Sequence, residues 1–263
     1  MKKISLAVIA MMTICACGSK GEKTANLDGL TMDSIVKDTV VALTNDKNSP
    51  KCEIKLSLQY AKGENAEKIN NALLRSGILM PDYLGLGNEK LDIKLAVDSF
   101  IGRYIDDYKN EYAKLYRIDK DFASSYNNVY NVKTSTESNE ENVLTYIAEC
   151  YTFGGGAHGI SQTLVKNFNT KTGQMLTLDD YFVNVYKTRL TEIITEKLKE
   201  KFKTDDLESV GVFYGTKAYV PDNFIPYSDK ITFIYCQDEI AAHAVGEIRI
   251  DIDKDEIKQL LKD

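Results

Sequence analysis

Apolar residues fall at every second position over several separate stretches of this chain, and that period limits the folds it can adopt. Successive side chains of a β-strand point to opposite faces of the sheet, so the alternation predicts half-buried strands. Polar segments such as residues 169–174 separate these stretches and are typical of tight turns. The predicted strands cover residues 51–60, 126–134, 143–153, 160–168, 231–236 and 246–252.

Other stretches have the period of an amphipathic helix. The longest runs over residues 91–115, and a second, over 186–203, has Leu190, Ile194, Leu198 and Phe202 on its apolar face. Shorter helices are predicted after Asn65 and after Asp253, each residue acting as an N-cap. Because strands cluster with strands while helices stand apart, we predict an α+β fold with mainly antiparallel sheets packed by a few amphipathic helices.

The N-terminus resembles a lipoprotein export signal. Lys2 and Lys3 precede an uncharged apolar run, residues 4–14, which is shorter than the roughly 20 residues that cross a bilayer. The run ends in Ile-Cys-Ala-Cys, and its last residue, Cys17, is the predicted lipid attachment site. We therefore expect a lipoprotein of the bacterial cell envelope. In Gram-negative sorting, Gly18 and Ser19 favour the outer membrane over retention at the inner membrane.

The remaining chain is long enough for two modest domains. We predict a signal peptide over residues 1–16, a flexible tether over 17–32, an N-terminal α+β domain over 33–123 and a C-terminal α+β domain over 124–263.

The formal net charge of −6 limits the partners, and loss of Lys2 and Lys3 with the signal makes it more negative. Such a surface repels nucleic-acid phosphates, and no basic stripe with interleaved aromatic residues offsets the repulsion. Nucleic acid is therefore excluded as an expected partner. A cationic partner would be attracted electrostatically.

The cysteines that remain after processing are Cys52, Cys150 and Cys236. None has the CxxC spacing of a structural zinc site, and an odd number allows at most one internal disulfide. All three lie in strand-like surroundings, where cysteine usually packs as a small apolar residue. We expect buried free thiols.

A glycine-rich segment between two predicted strands, residues 154–159 (GGGAHG), looks most like a site. Gly154, Gly156 and Gly159 satisfy G-x-G-x-x-G, the dinucleotide-binding pattern. That pattern requires a following helix to direct its amides at pyrophosphate, whereas residues 160–168 have the period of a strand. We therefore predict no nucleotide and no other cofactor. The candidate ligand-binding loop consists of Gly154, Gly155, Gly156, His158 and Gly159.

The glycines of this loop imply backbone with positive φ, or backbone approached closely by other atoms. His158 and His243 are the two histidines of the chain. They could form an acid–base or metal site with Glu149 or Glu239, but no HExxH or nucleophile-elbow motif accompanies them. A histidine beside glycines is more often a turn residue. We predict neither catalytic nor metal-binding residues.

Four tyrosines form an i, i+4 ladder on the longest predicted helix: Tyr104, Tyr108, Tyr112 and Tyr116. At a surface, their faces could bind sugar rings or a protein partner. On a helix packed against a sheet, they would instead belong to the core with their hydroxyls reaching solvent or backbone. We favour the core interpretation and keep the aromatic surface as a candidate.

Three spaced blocks carry a family resemblance. They are YTFGGGAHG at 151–159, the pattern Asn167-x-x-Thr170-x-x-Gly173-x-x-Leu176-x-Leu178-Asp-Asp-Tyr-Phe, and Asp238-Glu-Ile-Ala-x-x-Ala244-x-Gly246-x-Ile248. Together they resemble the envelope domain of unknown function shared by the lysozyme-sensing anti-sigma factor RsiV and some peptidoglycan deacetylases. Residues 52–116 resemble the smaller domain that usually precedes it.

The chain departs from these relatives in ways that bear on function. It shows neither a sigma-binding segment with a retained transmembrane helix nor a separate metal-dependent deacetylase domain, and Ala242-His243 replaces the usual Pro-Tyr. The resemblance implies a non-catalytic envelope lipoprotein that binds a protein or glycan ligand, such as lysozyme, another cell-wall hydrolase or peptidoglycan. One alternative is an envelope hydrolase that acts on cell-wall glycan or peptide through His158 and His243. Another is a structural assembly subunit.

Overall fold

The computed structural model describes residues 29–83 and 92–262. Cys17, the signal peptide and most of the predicted tether lie outside the described residues. Within the described part, no helix combines the length and the apolar composition needed to span a bilayer. The helices are α1 (Ala66–Leu74), α2 (Ile93–Ile118), α3 (Leu178–Tyr181) and α4 (Tyr186–Phe202). The strands are β1 (Thr31–Ala42), β2 (Lys51–Lys62), β3 (Asn128–Glu137), β4 (Val143–Phe153), β5 (Ile160–Asn169), β6 (Met175–Leu176), β7 (Phe224–Pro226), β8 (Lys230–Tyr235) and β9 (Ile248–Asp253).

Two sheets organise the molecule. The larger has the order β1-β2-β3-β4-β5-β6, and all its neighbours are antiparallel except β2 and β3, which are parallel and joined through α1 and α2. The smaller is the antiparallel sheet β7-β8-β9. The predicted α+β fold with mainly antiparallel sheets is confirmed.

The larger sheet buries one face against α1 and α2. Ile54, Leu56 and Val132 point to this side and pack with Val97 and Phe100 of α2. Burying such apolar side chains stabilises the fold by about 1.5–3 kcal/mol for each residue. The opposite face carries the alternate residues of the same strands. The smaller sheet covers part of this face through Ile225 and Ile234, which pack on Val165, and the part formed by β1, β2 and β3 is largely open.

A second core lies between α4 and the smaller sheet. The predicted inner face of α4 is confirmed for Leu190, Ile194 and Leu198, which are almost fully buried, whereas Phe202 is partly exposed. Along the chain, the core of the larger sheet ends at Phe168 and the second core begins at Leu178. Strands from both sides of the domain boundary that we predict at 123/124 belong to the larger sheet.

Side-chain amides connect the outer edge of β5 to the C-terminal part of the chain. Asn223 accepts a hydrogen bond from the Val165 N–H (2.7 Å) and donates one to the Thr163 carbonyl (2.6 Å). Gln237 accepts from the Ser161 N–H (2.9 Å). These amides satisfy backbone groups at the strand edge, and the Thr163 carbonyl also accepts from the Cys236 thiol at 3.4 Å.

Two predicted helix caps differ from the structure. Asn65 precedes α1 in the left-handed region (φ 58°) without capping it through its side chain. It instead donates from Nδ2 to the Lys171 carbonyl (2.9 Å), because the turn at 169–174 packs against it. The segment after Asp253 forms turns and a short 3₁₀ helix (Lys258–Leu260) in place of an α-helix.

Candidate binding cleft

A cleft of about 720 Å³ lies on the open face of the larger sheet, with Gln237, Gly246 and Glu247 contributing its wall. Its floor follows from strand register, because directly paired residues point to the same face. Two neighbouring cross-strand rows form the floor: Val36-Ser57-Lys133-Glu149-Thr163 and Asp38-Lys55-Asn131-Tyr151-Ser161.

The charged side chains of the floor balance each other. Asp38 lies directly opposite Lys55, and Lys133 lies directly opposite Glu149. On the wall, Glu247 accepts a charge-assisted hydrogen bond from Arg249 Nε at 2.7 Å. The cleft is therefore close to neutral although the chain carries a formal net charge of −6.

Tyr151 provides the aromatic surface of the cleft and remains 39 % exposed. Its ring lies against the backbone of Gly159, where an added Cβ would come within 2.6 Å of Cε2. Gly159 has no positive φ, so this close approach, and not backbone conformation, requires glycine there. Gly159 immediately precedes β5, so the ring covers the point where the loop enters the neighbouring strand.

The candidate glycine loop connects β4 to β5, and the constraint that favours glycine differs from one position of the loop to the next. Gly155 and Gly156 have positive φ values of 89° and 92°. A Cβ on Gly155 would also overlap the Ser125 carbonyl, whereas Gly154 meets only Asn128 Nδ2 at 3.9 Å. The loop leads into strand β5, as its alternating period predicts, and not into the helix that the dinucleotide pattern requires.

The structure brings the two histidines together beside this loop. The rings of His158 and His243 stack with centroids 5.2 Å apart and an interplanar angle of 26°. His243 Nδ1 lies 2.9 Å from Asp238 Oδ2, and Gln237 Nε2 donates to the His243 carbonyl at 3.1 Å. Gln237 thereby joins the His243 turn to β5, where it also accepts from the Ser161 N–H.

The carboxylates that we considered as partners of the histidines lie elsewhere. Glu239 accepts hydrogen bonds from the Tyr219 hydroxyl (2.7 Å) and the Cys236 N–H (2.7 Å), and Glu149 belongs to the cleft floor. Asp238 takes their place beside His243. Within residues 29–83 and 92–262, no group of three or more His, Cys, Asp or Glu side chains is arranged to hold a metal ion.

The cysteine prediction is confirmed: Cys52, Cys150 and Cys236 are free thiols, two of them buried and Cys150 partly so. Burial raises the pKa of each thiol to about 11. A thiol with such a pKa stays protonated near neutral pH and is a poor nucleophile.

The tyrosine ladder lies mostly inside the protein, so the aromatic-surface hypothesis needs correction. Tyr108 and Tyr116 are each 3 % exposed, while Tyr104 and Tyr112 pack against the same core. Burial raises the pKa of Tyr104 to about 12, and its hydroxyl donates to Asn128 Oδ1 at 2.8 Å. The ladder offers no continuous stacking surface, because α2 covers the larger sheet with this stripe.

The residue patterns of the sequence do not by themselves reveal the cleft floor. Lys55, Asn131, Lys133, Glu149 and Tyr151 occupy alternate positions of predicted strands, which the sequence shows. Their convergence depends on the register of β2 with β3, two strands separated by two helices. No pattern within either strand specifies that register.

Two family models match the chain. Residues 45–161 match the family described as deacetylase PdaC, and residues 179–255 match a protein family of unknown function, DUF3298. No curated protein matches the chain.

Crystal structures of two DUF3298 proteins share the fold. One, from Bacteroides fragilis, is 23 % identical, with a TM-score of 0.78 over 89 % of this chain and 95 % of its own. The other, from Pseudomonas aeruginosa PAO1, is 14 % identical, with a TM-score of 0.61 over 90 % and 96 %. The predicted resemblance is thereby confirmed: this chain joins a segment similar to the PdaC family model to a following segment similar to DUF3298.

Proposed function

We propose that the chain is a lipid-anchored protein of the bacterial cell envelope that binds a protein or glycan ligand outside the cytoplasm, without catalysing a reaction. The observation that carries the proposal is the cleft on the open sheet face. It combines an exposed ring, paired charges and a half-buried amide in one concave surface of about 720 Å³. A few polar groups at fixed positions in a concavity are the usual form of a ligand site.

The export-type N-terminus supports the location, and the resemblance to the lysozyme-sensing anti-sigma factor supports the ligand class. Among proteins, lysozyme or another cell-wall hydrolase is the sharpest candidate. Lysozyme is strongly cationic, and the net charge of −6 on this chain would favour its encounter. Peptidoglycan is the corresponding glycan candidate.

Titration calorimetry of the detergent-solubilised full chain with lysozymes and soluble peptidoglycan fragments tests this proposal. Measurements at low and moderate salt separate general charge attraction from specific contacts. We expect saturable binding to at least one ligand, weakened by Tyr151→Ala and unchanged by Tyr214→Ala. Tyr214 is 78 % exposed outside the cleft and serves as the matched control. Absence of binding at both salt concentrations would defeat the proposal.

A hydrolase that uses His158 and His243 is the second candidate, because the two rings stack and His243 has a carboxylate partner in Asp238. Assays of cell-wall hydrolysis with the wild type and a His158→Ala variant, together with metal analysis, distinguish the two functions. Hydrolysis that His158→Ala abolishes would support the enzyme. Ligand binding that His158→Ala leaves intact, without turnover, would support the binding protein.

A further inference from the structure

The aromatic side chain of the cleft has contacts on one side only. Gly159 underlies the Tyr151 ring, and within the described part of the chain no other aromatic ring stacks on it. No hydrogen bond of its hydroxyl occurs there either. A flat apolar surface with a free polar tip suits a ring that carries both C–H and O–H groups.

The floor around Tyr151 offers both donors and acceptors. Asn131 is the direct cross-strand neighbour of Tyr151, and its Oδ1 is buried without a hydrogen-bond partner among the described residues. Leaving a buried acceptor unpaired costs about 1–3 kcal/mol, and rotation of the Asn131 amide into the cleft would let a ligand hydroxyl relieve this cost. Lys133 can donate and Glu149 can accept on the adjacent row. A ligand rich in hydroxyl groups can use all of these.

The paired charges of the floor argue against a charged ligand. Each lysine faces a carboxylate across the strands, so a polyanion would meet Asp38 and Glu149, and a polycation would meet Lys55 and Lys133. Either would bury charge without full compensation. An uncharged ligand avoids this cost.

An extended peptide fits this surface poorly. Peptides commonly add as a strand to a sheet edge through backbone hydrogen bonds. The floor is a sheet face, and the backbone groups of β2, β3 and β4 are already used in pairing with both neighbours. Recognition must come from side chains alone. The five strands β1 to β5 span about 19 Å at 4.8 Å per strand, which suits a short oligomer.

We propose that the ligand of the cleft is an uncharged oligosaccharide, with one sugar ring packed on Tyr151 and its hydroxyls bonded by Asn131, Lys133 and Glu149. This inference rests on the proposed function and names the ligand class of the same site.

A pair of tetrasaccharides with the same rings and linkage, one N-acetylated and neutral and the other free-amine and cationic, tests the inference. The full chain is titrated by calorimetry with the β-1,4-linked N-acetylglucosamine tetramer, which is neutral, and with the glucosamine tetramer, which is cationic. Cellotetraose and maltotetraose extend the neutral set. We expect at least one neutral tetramer to bind, and Tyr151→Ala to weaken that binding about tenfold, as loss of an aromatic contact predicts.

The control variants separate ring, hydroxyl and folding effects. Tyr151→Phe keeps the ring and should retain most of the affinity, and Tyr214→Ala should retain all of it. Equal thermal unfolding of the variants verifies that they fold. Failure of every neutral tetramer to bind, equal binding of the cationic tetramer, or no effect of Tyr151→Ala would overturn the inference. If a protein ligand still bound in a Tyr151-dependent manner, the proposed function would survive; if nothing bound, both would fail.

Discussion

At the scale of single residues, Gly159 of the glycine loop lies against the ring of Tyr151. Glycine at 159 allows the ring to lie directly on the backbone, and this fixes the aromatic surface of the cleft. The other glycines of the loop serve its own geometry. Gly155 both turns the chain and approaches the Ser125 carbonyl.

Gly159→Ala should therefore displace the Tyr151 ring, because the new methyl group would lie within 2.6 Å of Cε2. Because the Tyr151 ring is 39 % exposed and can rotate away, the loss in the free energy of unfolding should stay below the ~1–3 kcal/mol of core overpacking, and weaker ligand binding measured by calorimetry is the expected result. Gly154→Ala is the matched control, because its methyl group would meet only Asn128 Nδ2 at 3.9 Å. Equal ligand affinity of the two variants would contradict the contact.

Lys166 on β5 is a second residue whose effect on stability can be measured, because burial disfavours its charged form. Burial lowers the pKa of its ammonium group from the ordinary 10.5, and the charge of Asp222 opposes this effect in part. Lys166→Met should raise the free energy of unfolding near neutral pH by about 1 kcal/mol. Lys109→Met, at an exposed position of α2, should change it by less than about 0.5 kcal/mol.

The pH dependence of the Lys166→Met effect has a definite sign. Between the lowered pKa of the native state and 10.5, the unfolded chain binds more protons than the folded chain, so wild-type stability rises with pH. The advantage of Lys166→Met should shrink across this alkaline window. An advantage that grows with pH there would show that the folded protein stabilises the charged ammonium group of Lys166.

At the scale of elements, periodicity predicted most of the structure. The hairpins of β3 with β4 and of β4 with β5 follow from alternating runs separated by turns. The inner faces of α2 and α4 follow from spacing of three and four residues. The pairing of β2 with β3 did not follow, because parallel neighbours depend on how α1 and α2 cross between them.

Some parts of the candidate site could likewise be predicted from the sequence, and others could not. The glycine loop and the His158–His243 pair could be proposed from residue types, and the structure places the two rings in contact. The cleft floor combines side chains from five strands, and a shift of one residue in register would turn each side chain to the opposite face. Gln237 and Asn223 give no periodic pattern, because their amides replace a neighbouring strand at the edge of β5.

Because Asn223 bonds backbone groups at the edge of β5, removal of its side-chain amide should destabilise the folded state. Asn223→Ala removes the acceptor of the Val165 N–H and leaves the Thr163 carbonyl with the Cys236 thiol as its donor, which should lower the free energy of unfolding by about 1–3 kcal/mol. Hydrogen exchange at the Val165 amide should accelerate in parallel. Asn110→Ala, at an exposed position of α2, controls for loss of an amide in general. Unchanged exchange at Val165 would contradict this role.

At the scale of the whole molecule, the chain carries a negative net charge, whereas each charged residue of the cleft floor lies opposite one of the other sign. The negative net charge favours encounter with cationic proteins, and the balanced charges of the cleft floor favour an uncharged ligand in the site itself. These preferences are compatible because long-range attraction and close contact act at different distances.

The proposed location makes a separate prediction at this scale. Cys17→Ala should prevent lipid attachment, release the protein from the membrane fraction and change the mass of the mature chain. Globomycin, which blocks lipoprotein signal cleavage, should cause retention of the signal peptide. Cys52→Ala is the control for loss of a thiol, because Cys52 is a buried residue of β2. Identical fractionation of wild type and Cys17→Ala would refute the anchor.

Hydrogen-exchange mass spectrometry of the full chain, with and without a saturating ligand found by calorimetry, tests the cleft most directly. Ligand binding should slow exchange in β3, β4, β5 and residues 237–247, and leave the outer surface of α4 unchanged. Protection confined to surfaces away from the cleft would contradict its assignment as the binding site.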